Sequence, residues 1–278
     1  MTSLGESRKS GAAELGVGRV VAWLKAHSHQ ILVFVILIAG WQALTLWRGV
    51  YWFSSPWGVL TRFINGILGG ELLSHASYTA SEAVIGFVIG AIPATILPFL
   101  LRRWPMATAI LDPVMVGGYG APKLALAPLF ILWFGIGIES KVALVAITVF
   151  FIVYFSALSG VRALEPKLVQ MAQVAGANER DVARYIVFPG AVPYIFTGFR
   201  IAMPYSIGGA VIAELLSANR GLGYLIQFSA TNFDTTGIFT ALFMTTLIVA
   251  LGNWSVNIVE RRLLRWRPPP DVRMQTGT

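Results

Sequence analysis

Val142–Val161 reads VALVAITVFFIVYFSALSGV, twenty positions without a charged side chain. About 18 apolar residues suffice for a helix to cross the hydrocarbon core of a bilayer, and this run has no charged face to turn toward water. The rest of the chain agrees with that reading. Of 278 residues, 56% are hydrophobic and only 12% charged, against about 25% charged in ordinary soluble domains. Mean hydropathy is +0.69. The expected fold class is all-α, a polytopic membrane protein.

Four further stretches qualify on either side of this run. Ile31–Trp47, Ala83–Leu101 and Thr235–Val259 carry no charge, and Gly190–Ala213 is interrupted only by Arg200. Trp41 and Trp47 suit the outer interface of the first span. Met106–Ile138 is apolar but holds Asp112, Pro113, Gly117, Gly118, Gly120, Pro122, Lys123 and Pro128. Prolines remove backbone donors and glycines relax a helix, so this stretch reads as one broken span with a bent, partly re-entrant piece. About six transmembrane helices result.

The basic residues sort by side. Arg8, Lys9, Arg19 and Lys25, then Arg102 and Arg103, then Arg162, Lys167, Arg180 and Arg184, then five arginines beyond residue 260 make fifteen of the 21. The alternate segments hold Arg48, Arg62, Lys141 and Arg220. Lys and Arg stay cytoplasmic, so both termini and the 162–190 loop are expected in the cytosol. The net charge of +8 is then a matter of membrane sidedness, and no nucleic-acid partner is implied. Residues 1–30 and 266–278 read as cytosolic tails around a membrane domain at 31–265. The apolar run begins only at Ile31 and lacks a small-x-small site, so it reads as a permanent anchor rather than a cleaved signal. The chain has no cysteine, which excludes disulfide scaffolds, thiolate metal sites and cysteine nucleophiles. With His27, His29 and His75 as its three histidines, no metal site is expected.

Beyond Val161 comes the longest polar stretch between two spans, Glu165–Pro193, EPKLVQMAQVAGANERDVARYIVFPGAVP. Glu165 can cap a helix, and Pro166 suits its first position. Leu168, Met171, Ala172 and Ala175 form one apolar stripe. Gly176 stands where a helix ends in a left-handed residue. Asn178 can restart a helix with Glu179 and Asp181 in its first turn. Val182, Tyr185 and Ile186 form a second stripe, and Pro189 and Pro193 close the unit. Two short amphipathic helices joined at a glycine are expected. Such a hairpin either packs on its own membrane domain or docks into the groove of a cytosolic partner.

The spacing Ala172-x3-Gly176-x9-Ile186-x-Phe188-Pro189 resembles the signature loop of ABC importer permeases, with Gln170 or Met171 where that family's best-known form has an acidic residue and Phe188 where it has leucine. Leu124–Gly137, LALAPLFILWFGIG, and Glu214 followed by Gly221-Leu-Gly-Tyr-Leu225 resemble the nitrate/sulfonate/taurine branch. The resemblance runs from about residue 75 to 267. It implies a bacterial inner-membrane permease that works as a dimer, a homodimer by preference, with two cytosolic ABC ATPase subunits and an external solute-binding protein. It also makes the loop carrying Ala172, Ala175, Gly176, Glu179, Arg184, Ile186 and Pro189 the ATPase-coupling element. The solute implied is small and anionic, such as an aliphatic sulfonate, taurine or nitrate; relatives also import pyrimidine vitamin precursors and other small organic compounds. The sequence has no Gly-Lys dipeptide and hence no G-x4-G-K-[ST] phosphate loop. No cofactor is expected on this chain, and ATP and magnesium belong to the partner.

Ionisable residues inside spans point to function by default. Arg200 lies close enough to an end to snorkel, Glu82 reads as interfacial, and Asp112 before Pro113 reads as a helix cap. Lys123, Glu214 and Arg200 are the candidates for the translocation path or gate. Lys123 follows backbone too irregular to face lipid, and either steers an anion or pairs with Glu82 or Glu214. Glu214 lines the outer gate, touches the binding protein or is solvated. A membrane-embedded enzyme would need a nucleophile with a base, a metal set or paired acids; the sequence shows no H-E-x-x-H, no G-x-S-x-G and no close carboxylate pair within a span. A channel or secondary transporter leaves the hairpin without a purpose, and no internal repeat supports one.

Overall fold

The computed structural model describes residues 28–265, and every regular element in that range is helical. The chain divides into two compact units at Thr61/Arg62. In the first, α1 (Ser28–Arg48) and the short α2 (Val50–Phe53) are tied by side chains. Trp41 Nε1 donates to the Phe53 carbonyl at 2.8 Å, and the buried Thr45 hydroxyl donates to the carbonyls of Trp41 and Ser54. Trp41 is thus occupied within its unit, while Trp47 is exposed. Of the expected tail at 1–30, residues 28–30 begin α1; the remainder and 266–278 lie outside the described residues.

α3 (Pro56–Leu68) leads into the second unit, which holds α4 (Glu71–Leu101), α5 (Pro105–Gly120), a 3₁₀ turn (Lys123–Leu126), α6 (Ala127–Phe134), α7 (Ile138–Arg162), α8 (Pro166–Val174), α9 (Glu179–Val182), a π turn (Ala183–Val187), α10 (Phe188–Ser217), α11 (Leu222–Thr231) and α12 (Thr235–Leu263). Among the described residues five helices are long and apolar enough to cross a membrane, or six where the bent pair Pro105–Gly120 and Lys123–Phe134 counts as one span. That pair turns by 85°, which is the break expected within Met106–Ile138. Its position is Ala121–Pro122. Pro113 sits inside α5 without ending it, so Asp112 caps nothing and instead pairs with Arg162 at 3.1 Å.

α7 is the central helix and packs chiefly against α4 and α10. Leu144, Val145, Val149, Val153, Tyr154 and Ala157 along it are fully buried. Lipid is as apolar as leucine, so helices in a bilayer associate through close packing rather than escape from water. Small residues permit that approach. A Cβ at Gly90 of α4 would run into the Ala146 carbonyl, and one at Gly198 of α10 would lie 2.6 Å from Ser156 Cβ. The opposite face of α4 presents Val84, Ile85, Val88, Ile89, Ile92 and Ile96, all exposed, as a lipid-facing helix should.

Three local expectations need correction. α4 begins twelve residues before Ala83, at Glu71, and His75 and Thr79 in its first turns accept from the amides of Gly221 and Leu222 at the start of α11. Glu82 is accordingly 4% exposed, not interfacial. The loop does not close at Pro189 and Pro193: the helix runs unbroken from Glu179 to Ser217. Proline lacks an amide and crowds the carbonyl four residues back. The π turn just before Pro189 widens the helix there and lets it pass.

Candidate functional site

The 162–190 loop is built by strong local signals. α8 starts at Pro166, and although Glu165 occupies the cap position, its side chain makes no capping bond. α8 ends in a Schellman arrangement, with Ala177 N donating to Ala172 O at 2.9 Å and Gly176 N to Gln173 O at 3.0 Å. This geometry needs a left-handed residue after the last turn, and Gly176 supplies φ +90°. Asn178 and Asp181 then form a reciprocal capping box that starts α9. Glu179 reaches Arg102 at 3.1 Å at the end of α4. The first apolar stripe faces outward, with Leu168 and Met171 exposed beside Val174 at 91%, while the second divides, Tyr185 being exposed and Val182 fully buried. Ala172 and Ile186 are half-buried, and Ala175, Gly176, Glu179 and Arg184 lie on the surface. Pro189 belongs to the first turn of α10. The site is a rigid, apolar, uncovered tip with charge around it.

Lys123 occupies the bend between α5 and α6. It lines a cleft of about 690 Å³ with Tyr119, Thr148, Ile201, Tyr205 and Gly208, among others. Its ammonium donates to the carbonyls of Tyr119 (2.5 Å) and Ala121 (3.4 Å) and lies 5.1 Å and 5.4 Å from the ring centres of Tyr119 and Phe151. Among the described residues it forms no ion pair, so the pairing with Glu82 or Glu214 is not made. Arg200 faces a different cleft of about 450 Å³ and pairs with Glu260 of α12. The three path candidates therefore occupy three separate places.

Glu214 is 1% exposed, at the far end of α10 from the hairpin. Its carboxylate accepts from Thr79 Oγ1 at 2.8 Å and Gly223 N at 2.6 Å, and lies against Glu82. Lys141, counted among loop residues by its sequence position, is 4% exposed and donates to the carbonyls of Ile136 and Gly137, each at 2.9 Å. The close carboxylate pair that sequence spacing does not show is thus assembled by tertiary packing. His75, Thr79 and Glu82 stand at i, i+4 and i+7, a polar stripe at the head of an apolar helix, and that was the available signal.

Residues 86–265, which contain both the hairpin and Glu214, match the family described as binding-protein-dependent transport system inner membrane component. The chain belongs to that family. It is similar to the protein named as the aliphatic sulfonates transport permease SsuC of Escherichia coli, at 34% identity over 86% of this chain and 92% of that one. The formylaminopyrimidine transport permease protein ThiX of Halalkalibacterium halodurans is 30% identical over 85% of this chain and 94% of that one. The fold is shared with the inward-facing MetNI methionine ABC transporter, with a TM-score of 0.57 and 17% identity over 69% of this chain and 94% of that one. An ABC importer permease for a small solute accounts for the membrane spans and the polar hairpin together, as the resemblance implied.

Proposed function

We propose that this permease is driven by two ABC ATPase subunits, which hold ATP and its magnesium and grip the Gly176 hairpin from the cytosol, and that it works as a dimer fed by an external solute-binding protein. The observation that carries this reading is the hairpin tip. Met171, Val174 and Tyr185 expose apolar surface on backbone fixed by a Schellman motif and a capping box, and a fixed apolar projection suits insertion into a groove. ATP binding by the partner then shifts the permease between outward-open and inward-open states, which requires the nucleotide to favour one of them.

The solute in this reading is a small anion of the aliphatic sulfonate type. Lys123 supports it as a cation with no ion pair among the described residues, set in a largely apolar cleft, and the sulfonate relative points the same way. Lys123 then lies on the path, Glu214 at the outer gate, and Arg200 beside the coupling region. Tyr119 and Tyr205 in the same cleft favour a planar heterocycle as the second reading, in line with the pyrimidine relative. Vesicles reconstituted with the permease, its ATPase and its binding protein decide the matter. The expected result is ATP-dependent accumulation of a short alkanesulfonate, falling about tenfold in Lys123→Met, equivalent to 1.4 kcal/mol. Accumulation by the isolated chain without ATP would overturn the coupling, and preferential uptake of aminopyrimidines would replace the solute.

A further inference from the structure

Three consecutive amides at the start of α11 are each taken by a side chain. Gly221 N donates to His75 Nδ1 at 3.0 Å, Leu222 N to Thr79 Oγ1 at 2.8 Å, and Gly223 N to Glu214 Oε2 at 2.6 Å. The first amides of a helix have no partner within it, and their end of the helix favours negative charge. Glu214 supplies that charge and also accepts the Thr79 hydroxyl. The fit is tight: a Cβ on Gly221 would strike the Glu214 carboxylate, and one on Gly223 would lie 2.7 Å from Glu214 Cβ.

Glu82 lies one turn beyond Thr79 on α4, 4% exposed, on the helix whose Thr79 hydroxyl meets the Glu214 carboxylate, and the two buried acids act on each other. Glu82 Oε2 is buried and receives no donor among the described residues. Two neighbouring carboxylates this deeply buried, 4% and 1% exposed, repel too strongly for both to ionise. The surrounding groups do not relieve this. Lys141 of α7 acts on both carboxyls through space but gives its ammonium protons to backbone carbonyls. His75 Nδ1 is an acceptor, α10 contributes Glu214 itself, and α11 contributes only amides. Donors converge on Glu214 and, among the described residues, none reaches Glu82, so the proton belongs on Glu82.

We propose that Glu82 and Glu214 hold one proton between them, with Glu82 the donor and Glu214 the ionised cap of α11, and that this acid–carboxylate pair fastens α11 to α4 and α10. The assignment does not depend on which solute is carried or on the coupling partner. Glutamine at position 82 imitates a protonated acid, whereas at position 214 it removes a required anion.

The test is infrared spectroscopy of the purified full chain with its thermal unfolding. The wild-type spectrum contains the carbonyl stretch of a buried carboxylic acid; Glu82→Gln lacks it and unfolds within about 2 °C of wild type, while Glu214→Gln loses about 5 °C or more. A band that survives in Glu82→Gln overturns the assignment, as does equal destabilisation by the two variants. A melting temperature that follows sodium or potassium concentration overturns it too, because a metal cation would then stand where the proton is placed. Should Glu214→Gln fail to fold, the band in Glu82→Gln decides alone.

Discussion

The two ends of the helix that runs from Glu179 to Ser217 are held in opposite ways. At Ser217 the neighbouring Glu214 is buried among Thr79, Glu82 and the Gly221–Gly223 turn, with each amide of that turn matched to a side chain. At Glu179 the contacts are an exposed ion pair to Arg102, with Val182 buried beneath a hairpin whose Met171, Val174 and Tyr185 stand uncovered among the described residues. Buried polar contacts fix one geometry, because each unmatched group costs about 1–3 kcal/mol. Exposed ion pairs contribute about 0–1 kcal/mol. One end is therefore fastened within the chain, and the other is left for something outside it.

The same substitution at both ends separates them most sharply. Gly223→Ala forces a Cβ against the Val211 carbonyl and Glu214, and should cost about 3 kcal/mol or more, seen as lost folded protein after detergent extraction. Gly176→Ala meets no atom within 4 Å and pays only for its φ of +90°, about 1 kcal/mol. If the two variants extract equally well, the difference between the ends is wrong. Next in size, Gly176→Trp should insert normally yet lower solute uptake by cells about tenfold, or 1.4 kcal/mol; normal uptake would remove the hairpin from the coupling route. The smallest effect is Arg102→Ala, which should change stability by less than about 1 kcal/mol in thermal unfolding. A larger loss would mean that the hairpin is fastened as firmly as the other end.

The contrast also explains what could be read from the residues alone. The spans follow from length and apolarity, so Val142–Val161 and Thr235–Val259 fall inside α7 and α12. The hairpin is legible because its signals are local: Gly176 takes the left-handed conformation its position calls for, and Asn178 with Asp181 starts the next helix. Local rules failed where a neighbouring turn could compensate. Pro189 and Pro193 read as a stop, but the π turn at Ala183–Val187 carries the helix through. The Glu82–Glu214 pair was not legible, since the residues meet only once α4 and α10 have packed on α7. Lys141 was misplaced for a related reason: its ammonium turns back to the Ile136 and Gly137 carbonyls and is buried there.

An unbroken run of 39 residues has a path of about 58 Å at the usual helical rise, nearly twice the roughly 30 Å of bilayer hydrocarbon. A gap in the helix would absorb a push delivered on one side, whereas a continuous helix passes it on to the other. A tilt of about 5° swings the far tip of such a helix by about 5 Å. Force applied at Glu179 can thus arrive at Glu214 by leverage, without a relay of rearranging side chains along the way.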